Sequence, residues 1–306
     1  MSPPAQSPEE PVTRATADRI DVGGRADMTA LQLSRPYGWR GKIGLITPSS
    51  NNINEPEFYR LAPPGVTIHT ARVLLLGEMD EASYHRMAAE LSRAAKELAT
   101  AEVDVVAYGC TAGSVIVPLP QLVASMSEQT GTPALVTAGA VVSALQALGV
   151  RRVAMGTPYL DFVNRREVAF LEGHGIGVTR YLGLELGNDQ QERRCIGHVP
   201  PETVYRMAIA LDSSDAEAIF ISCANLATLD VIEKIEAALG KPVVTSNTAC
   251  FWACLRAIGI DTPIEGYGRL LREVGVGRAA VQRRPGTLSP LDVSSSPNLS
   301  REMEPR

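Results

Sequence analysis

The strongest constraint on the fold is an internal repeat, in which elements of the first half return in the same order in the second half. The strand-like run GKIGLIT reaches Pro48, and the run RRVAMGT reaches Pro158, 110 positions later. Two further apolar runs, VDVVAYGC and EAIFISC, end on Cys110 and Cys223, which are 113 positions apart. A period that returns along a chain indicates two copies of one structural unit.

Helical patterns separate these strands. Apolar side chains recur at three- and four-residue spacing, which predicts an amphipathic helix in each half. The runs PALVTAG and PVVTSN lead into small-residue helices that end before Gly149 and Gly259, where glycine supplies a left-handed cap. This alternation predicts an α/β fold of two pseudo-symmetric, flavodoxin-like lobes, each built on a parallel sheet. The amphipathic faces comprise Tyr84, Met87, Ala88, Leu91, Ala95 and Leu98, and then Val204, Met207, Ala208 and Leu211.

The order of the elements also predicts domain boundaries. We expect a first lobe over residues 37–138, a second over 139–247, and a C-terminal helix over 248–275 that returns to the first lobe. The two ends, residues 1–36 and 276–306, carry few large apolar side chains and many Pro, Ser and Gly. Because such segments bury too little apolar surface to offset their ordering entropy, we expect both to be mostly disordered.

The composition excludes several classes of function. A net charge of −5 and a pI near 5.5 would not attract nucleic acid or an anionic membrane surface. No apolar run approaches the ~20 residues of a membrane helix, and the N-terminus lacks the pattern of a signal peptide. We therefore expect a cytoplasmic protein without nucleic-acid or membrane partners.

Neither a metal nor a cofactor is indicated. The four histidines are scattered, and the five cysteines are an odd number without zinc-type spacing, so we also expect no disulfide scaffold. No GxGxxG or Walker loop follows a strand, which removes the usual cradle for nicotinamide cofactors and nucleoside triphosphates. No GxSxG motif points to an α/β-hydrolase.

The candidate site lies where the strands end. In parallel α/β lobes, ligands bind beyond the carboxyl ends of the strands. Cys110 and Cys223 occupy this position, as do Asn51 after the first strand and Tyr159 after the first strand of the second half. We therefore predict an active site in the cleft between the lobes, with the two cysteines facing each other across it.

Several motifs together resemble a known family. They are PSSNNINE after the first strand, YGC ending at Cys110, GTPY ending at Tyr159, ISC ending at Cys223, and GYGRLLRE near residue 270. Over about residues 39–273 the chain resembles the aspartate/glutamate racemase superfamily. Within it, the chain is most similar to the group of maleate cis–trans isomerase and arylmalonate decarboxylase, including the ectoine-utilisation proteins of that group.

The resemblance implies cofactor-free chemistry on a small carboxylic acid, with Cys110 and Cys223 as the catalytic residues. The decarboxylase branch keeps only the second cysteine, so the presence of both favours an isomerase or racemase. Ala112 stands where amino-acid racemases of the superfamily usually have histidine, which disfavours that activity. Related proteins are monomers or dimers, so the resemblance is consistent with a homodimer.

The resemblance also implies residues that bind the substrate. Asn51 matches the family's asparagine, with Asn52 as the competing register, and Tyr159 matches its tyrosine. Further candidates are Asn188, Thr111 and Asn225, whereas Arg269 is either a charge partner or a helix cap. Cys250 and Cys254 lie four residues apart on an apolar helix and are predicted to be core residues, and Cys195 is predicted to be structural.

The chemistry of a thiolate supports a specific reaction. Helix N-termini and loop amides are expected to lower a thiol pKa, and the resulting thiolate is strongly nucleophilic and a good leaving group. Thiolate addition at Cys110 would turn the double bond of maleate into a single bond, and rotation followed by expulsion would give fumarate. Cys223 would transfer the proton. The alternatives are decarboxylation of a malonate-like acid through Cys223 alone, racemisation of an amino-acid derivative, and a non-catalytic two-lobed metabolite-binding protein.

Overall fold

Two parallel four-stranded sheets organise the chain. The structure, a computed structural model, describes residues 34–77 and 80–273, and the sheets and their helices lie within residues 37–273. The first sheet has the order β2-β1-β3-β4 and the second the order β6-β5-β7-β8. The strands are β1 (Gly41–Pro48), β2 (Val66–Val73), β3 (Val105–Tyr108), β4 (Ala134–Val136), β5 (Arg152–Thr157), β6 (Gly177–Gly183), β7 (Ala218–Ile221) and β8 (Val243–Thr245).

Helices connect the parallel strands. None of those in the described residues has the length and apolar character that a bilayer span requires. The helices are α1 (Asn54–Leu61), α2 (Glu81–Ala89), α3 (Leu91–Ala99), α4 (Thr111–Ile116), α5 (Leu119–Thr130), α6 (Thr137–Ala147), α7 (Asp161–Gly173), α8 (Gln190–Ile196), α9 (Pro201–Leu211), α10 (Ile232–Leu239), α11 (Ser246–Ala257) and α12 (Arg269–Glu273).

The predicted fold class is confirmed. The two sheets share one strand order, and this order is the flavodoxin-like one. Every residue of the central strands β3 and β7 is buried, as expected for parallel strands that are covered on both faces. The predicted tails lie outside the described residues except for residues 34–36, as do the last two residues of the predicted segment 248–275.

One predicted helix is divided in the structure. The apolar face from Tyr84 to Leu98 is buried as expected, but it belongs to two helices, α2 and α3. They meet at Glu90, whose φ of −83° and ψ of −7° tighten the turn there. The apolar period runs through this turn without interruption, which is why the sequence pattern predicted a single helix. At the ends of α6 and α11, Gly149 and Gly259 have φ of 73° and 75°, which confirms the predicted caps.

The two halves are joined by helix packing. Helix α11, which follows the last strand of the second sheet, packs against α6 and also contacts α1 and β3 of the first half. Phe58 of α1 and Phe251 of α11 form an edge-to-face pair with ring centroids 5.2 Å apart. Contacts of this kind stabilise an interface beyond the area that they bury.

A buried carboxylate also connects the halves. Glu57 of α1 accepts hydrogen bonds from the backbone N–H groups of Thr228 (2.6 Å) and Leu229 (3.1 Å). The side-chain amide of Asn247 donates to the same carboxylate at 2.6 Å. Burial raises the pKa of Glu57, whereas these hydrogen bonds favour its charged form. Glu57 thereby holds the loop that follows β7 against the first half.

Candidate active site

A small cavity collects the predicted site residues. Its volume is about 50 Å³, and residues that directly follow β1, β3, β5 and β7 contribute to its lining. Cys110 and Cys223 both line it, so the structure brings the two cysteines of the repeat to one cavity. Topologically equivalent strands of the two sheets therefore deliver two thiols to the same small volume.

Cys110 caps the N-terminus of helix α4. Its backbone is extended, and its thiol accepts a hydrogen bond from the N–H of Gly113 at 3.3 Å, in the position of a helix N-cap. A Cβ atom at Gly113 would collide with the Tyr108 hydroxyl and would approach the Cys110 sulfur to 3.1 Å. Glycine is therefore needed for this close packing of thiol, hydroxyl and helix.

Cys223 has a strained backbone. Its φ of 115° lies in the region that favours glycine. The N–H of Cys223 donates to the Ser246 hydroxyl at 3.0 Å, and its thiol accepts from the N–H of Asn225 at 3.3 Å. Strain of this kind persists where surrounding contacts enforce it, and it is concentrated at functional sites.

A hydroxyl connects the two cysteine loops. Thr111, which follows Cys110, donates to the Ser246 hydroxyl at 2.7 Å, and the same oxygen accepts the N–H of Cys223. Ser246 thus fixes the position of one loop relative to the other. The predicted residue Thr111 lies in the cavity lining, but its hydroxyl is engaged in this link.

Burial controls the acidity of both thiols. It raises the pKa of Cys110 to about 11 and that of Cys223 to about 12. The Gly113 N–H and the charge of Arg193 lower the pKa of Cys110, and the Tyr159 hydroxyl lowers that of Cys223. The sequence-based expectation of lowered thiol pKa values is therefore wrong in net direction, because desolvation outweighs the amides and the nearby cation.

A buried acid lies close to the cysteines. Glu167 of α7 accepts a hydrogen bond from the Ser222 hydroxyl at 2.6 Å, directly before Cys223. Burial raises the pKa of Glu167 to about 7, and its charge raises the pKa of Cys110 and Cys223. Nothing in the sequence pattern of α7 distinguished this glutamate from the solvated acids of the other helices.

The raised pKa of Cys110 predicts a pH dependence. Because its thiol is protonated at neutral pH, we expect its rate of alkylation by iodoacetamide to rise roughly tenfold per pH unit from neutral into mildly alkaline solution. The rate should level off only as the pH approaches the pKa of about 11. Mass spectrometry of the peptides reports each cysteine separately, and exposed Cys195 is the internal control. A plateau near neutral pH at Cys110 would contradict the prediction.

The structure distinguishes between the two asparagine registers. Asn51 lines the cavity, and its side-chain oxygen accepts the N–H groups of Ile53 and Asn54, both at 2.9 Å. These bonds orient the side chain and leave its NH₂ group as a donor. Asn52 is exposed, lies outside the lining, and donates its backbone N–H to the side-chain oxygen of Asn225 at 3.0 Å.

Tyr159 and Asn225 also line the cavity. Tyr159 is 3% exposed; its N–H donates to the Thr157 hydroxyl at 3.0 Å, and its carbonyl accepts from the Asn164 amide at 3.1 Å. These bonds hold the loop after β5, so that the phenol lies beside Cys223.

Two other predicted residues do not reach the cavity. Asn188 is exposed, and its N–H and side-chain amide donate to Glu192 at 2.9 and 2.8 Å, a local contact at the start of α8. The N–H of Arg269 donates to Glu236, and its guanidinium donates to the carbonyl of Gly240 at 3.0 Å. Of the two interpretations of Arg269, the cap at the end of α10 is the one that the structure has.

The remaining cysteines lie outside the site. Cys250 and Cys254 are buried in α11, as predicted. Cys195 is exposed on α8 and lies outside the cavity lining, and its structural role stays a prediction. Across residues 34–77 and 80–273, no three His, Cys, Asp or Glu side chains are grouped so that they could hold a metal ion.

Sequence reasoning missed an arginine in the cavity lining. Arg193 of α8 lines the cavity together with Tyr84, and its side chain is buried. Its Nε, Nη1 and Nη2 atoms have no hydrogen-bond partner among the described residues. The short run QQERRC has the composition of a solvated helix, and nothing in it distinguishes Arg193 from Arg194, which is exposed.

Comparisons with known proteins identify the family of the chain. The family model described as arylmalonate decarboxylase matches residues 43–271. A maleate isomerase of Nocardia farcinica is 33% identical over 246 residues, which are 76% of this chain and 96% of that protein. An arylmalonate decarboxylase of Bordetella bronchiseptica is 38% identical over 155 residues, which are 50% of this chain and 63% of that protein.

A solved structure extends the likeness to three dimensions. The maleate cis–trans isomerase of Nocardia farcinica, in a cysteine-to-serine mutant with a covalently bound succinylcysteine intermediate, has a TM-score of 0.70 at 29% identity. The match covers 76% of this chain and 98% of that one. The predicted likeness to the group of maleate isomerase and arylmalonate decarboxylase is confirmed, whereas the ectoine-utilisation branch stays a prediction. The chain belongs to the arylmalonate decarboxylase family.

Proposed function

We propose that the chain is a cofactor-independent isomerase that converts maleate, or a closely similar cis-dicarboxylate, into its trans isomer. The observation that carries this proposal is the pair of buried thiols, Cys110 and Cys223, in the lining of one cavity. The maleate isomerase of Nocardia farcinica, with its succinylcysteine intermediate, supports the same chemistry.

The reaction begins when the Cys110 thiol gives its proton to solvent and becomes a thiolate. Its sulfur bonds to one carbon of the double bond, and the π electron pair moves to the neighbouring carbon, which takes the proton of the Cys223 thiol. The product is a succinyl thioether that rotates freely about a single bond. The Cys223 thiolate then removes a proton from that carbon, the double bond forms again, and the Cys110 thiolate leaves, which releases fumarate.

The surroundings of the two thiols support this division of roles. The Gly113 N–H and the charge of Arg193 favour the Cys110 thiolate, although burial raises the pKa of both thiols. In the proposed division of roles, Cys110 is the thiol that ionises and Cys223 is the thiol that keeps its proton. During addition, negative charge spreads onto a carboxylate, for which the NH₂ group of Asn51 and the Tyr159 hydroxyl are the donors. Preorganised donors of this sort contribute on the order of 3 kcal/mol each.

Decarboxylation of a malonate-like acid is the second candidate. The observation in its favour is the 38% identity to the decarboxylase of Bordetella bronchiseptica over 155 residues. It would need Cys223 alone and leaves Cys110 without a task in the cavity.

Racemisation would use both thiols, one to take an α-proton and one to return it. A non-catalytic binding protein would not need the strained backbone at Cys223.

The setting of the enzyme is part of the proposal. All five cysteines are free thiols, which suits a reducing compartment such as the cytoplasm. The proposed partner is a small carboxylate, and a homodimer stays a prediction.

Proton NMR of the wild-type protein with maleate tests the function. We expect the vinyl signal of fumarate to grow at the expense of maleate without an added cofactor. Parallel samples contain phenylmalonate, with CO₂ release as the readout, or amino-acid derivatives in D₂O, with α-proton exchange as the readout. Fumarate formation supports the isomerase. Its absence together with CO₂ release or exchange would replace the isomerase by the decarboxylase or the racemase.

A further inference from the structure

The buried arginine of α8 has no hydrogen-bond partner for its guanidinium among the described residues. Arg193 is 4% exposed and lines the same cavity as both thiols. All three nitrogen atoms of its guanidinium are buried without a hydrogen-bond partner in the described part of the chain. An arginine offers five N–H donors and keeps its charge in proteins, so this cavity holds a cation whose donors are unused within the described residues.

Several other arginines in the described part of the chain are paired with carboxylates. Arg60 bonds Asp230 at 2.6 Å, and Arg72 bonds Glu55 at 2.8 Å, both near the surface. Burying a charge costs free energy unless an opposite charge and hydrogen bonds compensate for it. Arg193 is the buried arginine among the described residues, and its three nitrogens make no hydrogen bond there.

Two acids near the site are committed elsewhere. Asp80, whose charge favours the guanidinium, is exposed and accepts the N–H of Ser83 at 2.8 Å as the cap of α2. Glu167, the buried acid near the cysteines, binds the Ser222 hydroxyl. We therefore expect the anion that pairs with the Arg193 guanidinium to bind in the cavity.

Helix α8 directs Arg193 to this position. Arg193 and Ile196 are three residues apart, lie on one face of the helix, and both line the cavity. Arg194 and Cys195, between them in sequence, are exposed. The Asp189 side chain accepts the N–H of Glu192 at 2.8 Å and fixes the start of the helix. A helix with one face in the cavity holds its side chains more firmly than a loop would.

We infer that Arg193 binds one carboxylate of the substrate through its guanidinium and thereby selects dianions over acids with a single carboxylate. This inference rests on the proposed function and deepens it, because it names the residue that recognises the second negative charge. A guanidinium and a carboxylate can pair through two parallel hydrogen bonds, which gives both affinity and orientation. The other carboxylate is left for the donors of Asn51 and Tyr159.

Calorimetric titration with succinate tests the inference without turnover, since succinate has no double bond to which a thiolate could add. We expect Arg193→Gln to weaken succinate binding by roughly 30- to 100-fold and Arg193→Lys to recover part of the loss, because lysine keeps the charge without the fork. Arg194→Gln is the matched control on the same helix and should bind succinate like the wild type. Butyrate, with one carboxylate, should bind weakly and equally to the wild type and Arg193→Gln.

Thermal unfolding separates this role from a structural one. Because an unpaired buried cation destabilises the free protein, Arg193→Met should raise Tm by roughly 2–4 °C while succinate binding is lost. A fall in Tm together with unchanged succinate affinity in Arg193→Gln would overturn the inference. If the wild type forms fumarate and Arg193→Gln binds succinate normally, the inference is wrong and the proposed function stands. If no fumarate is formed but succinate binding depends on Arg193, the inference stands and the proposed reaction is wrong.

Discussion

Cys110→Ser is expected to lower the turnover of maleate at least about 1,000-fold, the largest effect of any single substitution in the site. A serine hydroxyl ionises far less readily than a thiol and is a poorer nucleophile and leaving group, so both addition and expulsion are lost. Serine keeps nearly the same volume and can still accept the Gly113 N–H that Cys110 accepts at 3.3 Å. The measurement is the initial rate of fumarate formation, with far-UV circular dichroism and Tm as checks on the fold.

Cys195→Ser is the matched control for this experiment. Cys195 is exposed on α8 and lies outside the cavity, so its replacement should leave the rate unchanged. Substantial turnover in Cys110→Ser would contradict the nucleophile assignment. It would instead favour chemistry that needs Cys223 alone, as decarboxylation does.

Cys223→Ser has the second largest expected effect, and it differs in kind. The Cys110 thiolate can still add to maleate, and solvent can supply the proton, but no thiolate then removes a proton from the thioether. We expect turnover to fall at least about 100-fold, the usual size of a general acid–base contribution. We also expect the protein to gain one succinyl group per chain. Intact-protein mass spectrometry measures the adduct, and peptide mapping locates it at Cys110.

A double variant makes this experiment decisive. Cys110→Ser combined with Cys223→Ser should form no adduct, and both variants should be made with Cys195→Ser so that the exposed thiol cannot react with maleate. An adduct that forms at Cys223 in Cys110→Ser, but not at Cys110 in Cys223→Ser, would reverse the two roles. The succinylcysteine intermediate in a cysteine-to-serine mutant of the Nocardia farcinica isomerase is the corresponding species in a relative.

Much of the fold was open to prediction because its signals are local. Apolar runs predicted β1, β3, β5 and β7, and the glycines at 149 and 259 predicted the ends of α6 and α11. The repeat then placed Cys110 and Cys223 at equivalent strand ends, since parallel strands present their carboxyl ends at one edge of a sheet. The division between α2 and α3 escaped because the apolar period continues through Glu90.

The site was less accessible to sequence reasoning. Asn51, Tyr159, Thr111 and Asn225 lie in the cavity lining, whereas Asn188 is occupied by a local contact with Glu192. When a motif is aligned one residue out of register, a side chain of a helix or turn is assigned to the wrong face, and nothing in the sequence reveals the error. The link through Ser246 joins residues 135 positions apart, and no motif in the sequence pairs these two positions.

By itself the sequence determined the two-lobed α/β architecture and the pairing of Cys110 with Cys223, because strand patterns and the internal repeat are properties of the chain. Only the tertiary structure decided the acidity of the two thiols and the burial of Arg193 beside them. Both depend on how far distant elements exclude water from the cavity, and desolvation there reverses the direction expected from nearby amides. The protonation state of a group in the cavity depends on all the residues that exclude water from it, and these residues are far apart in the chain.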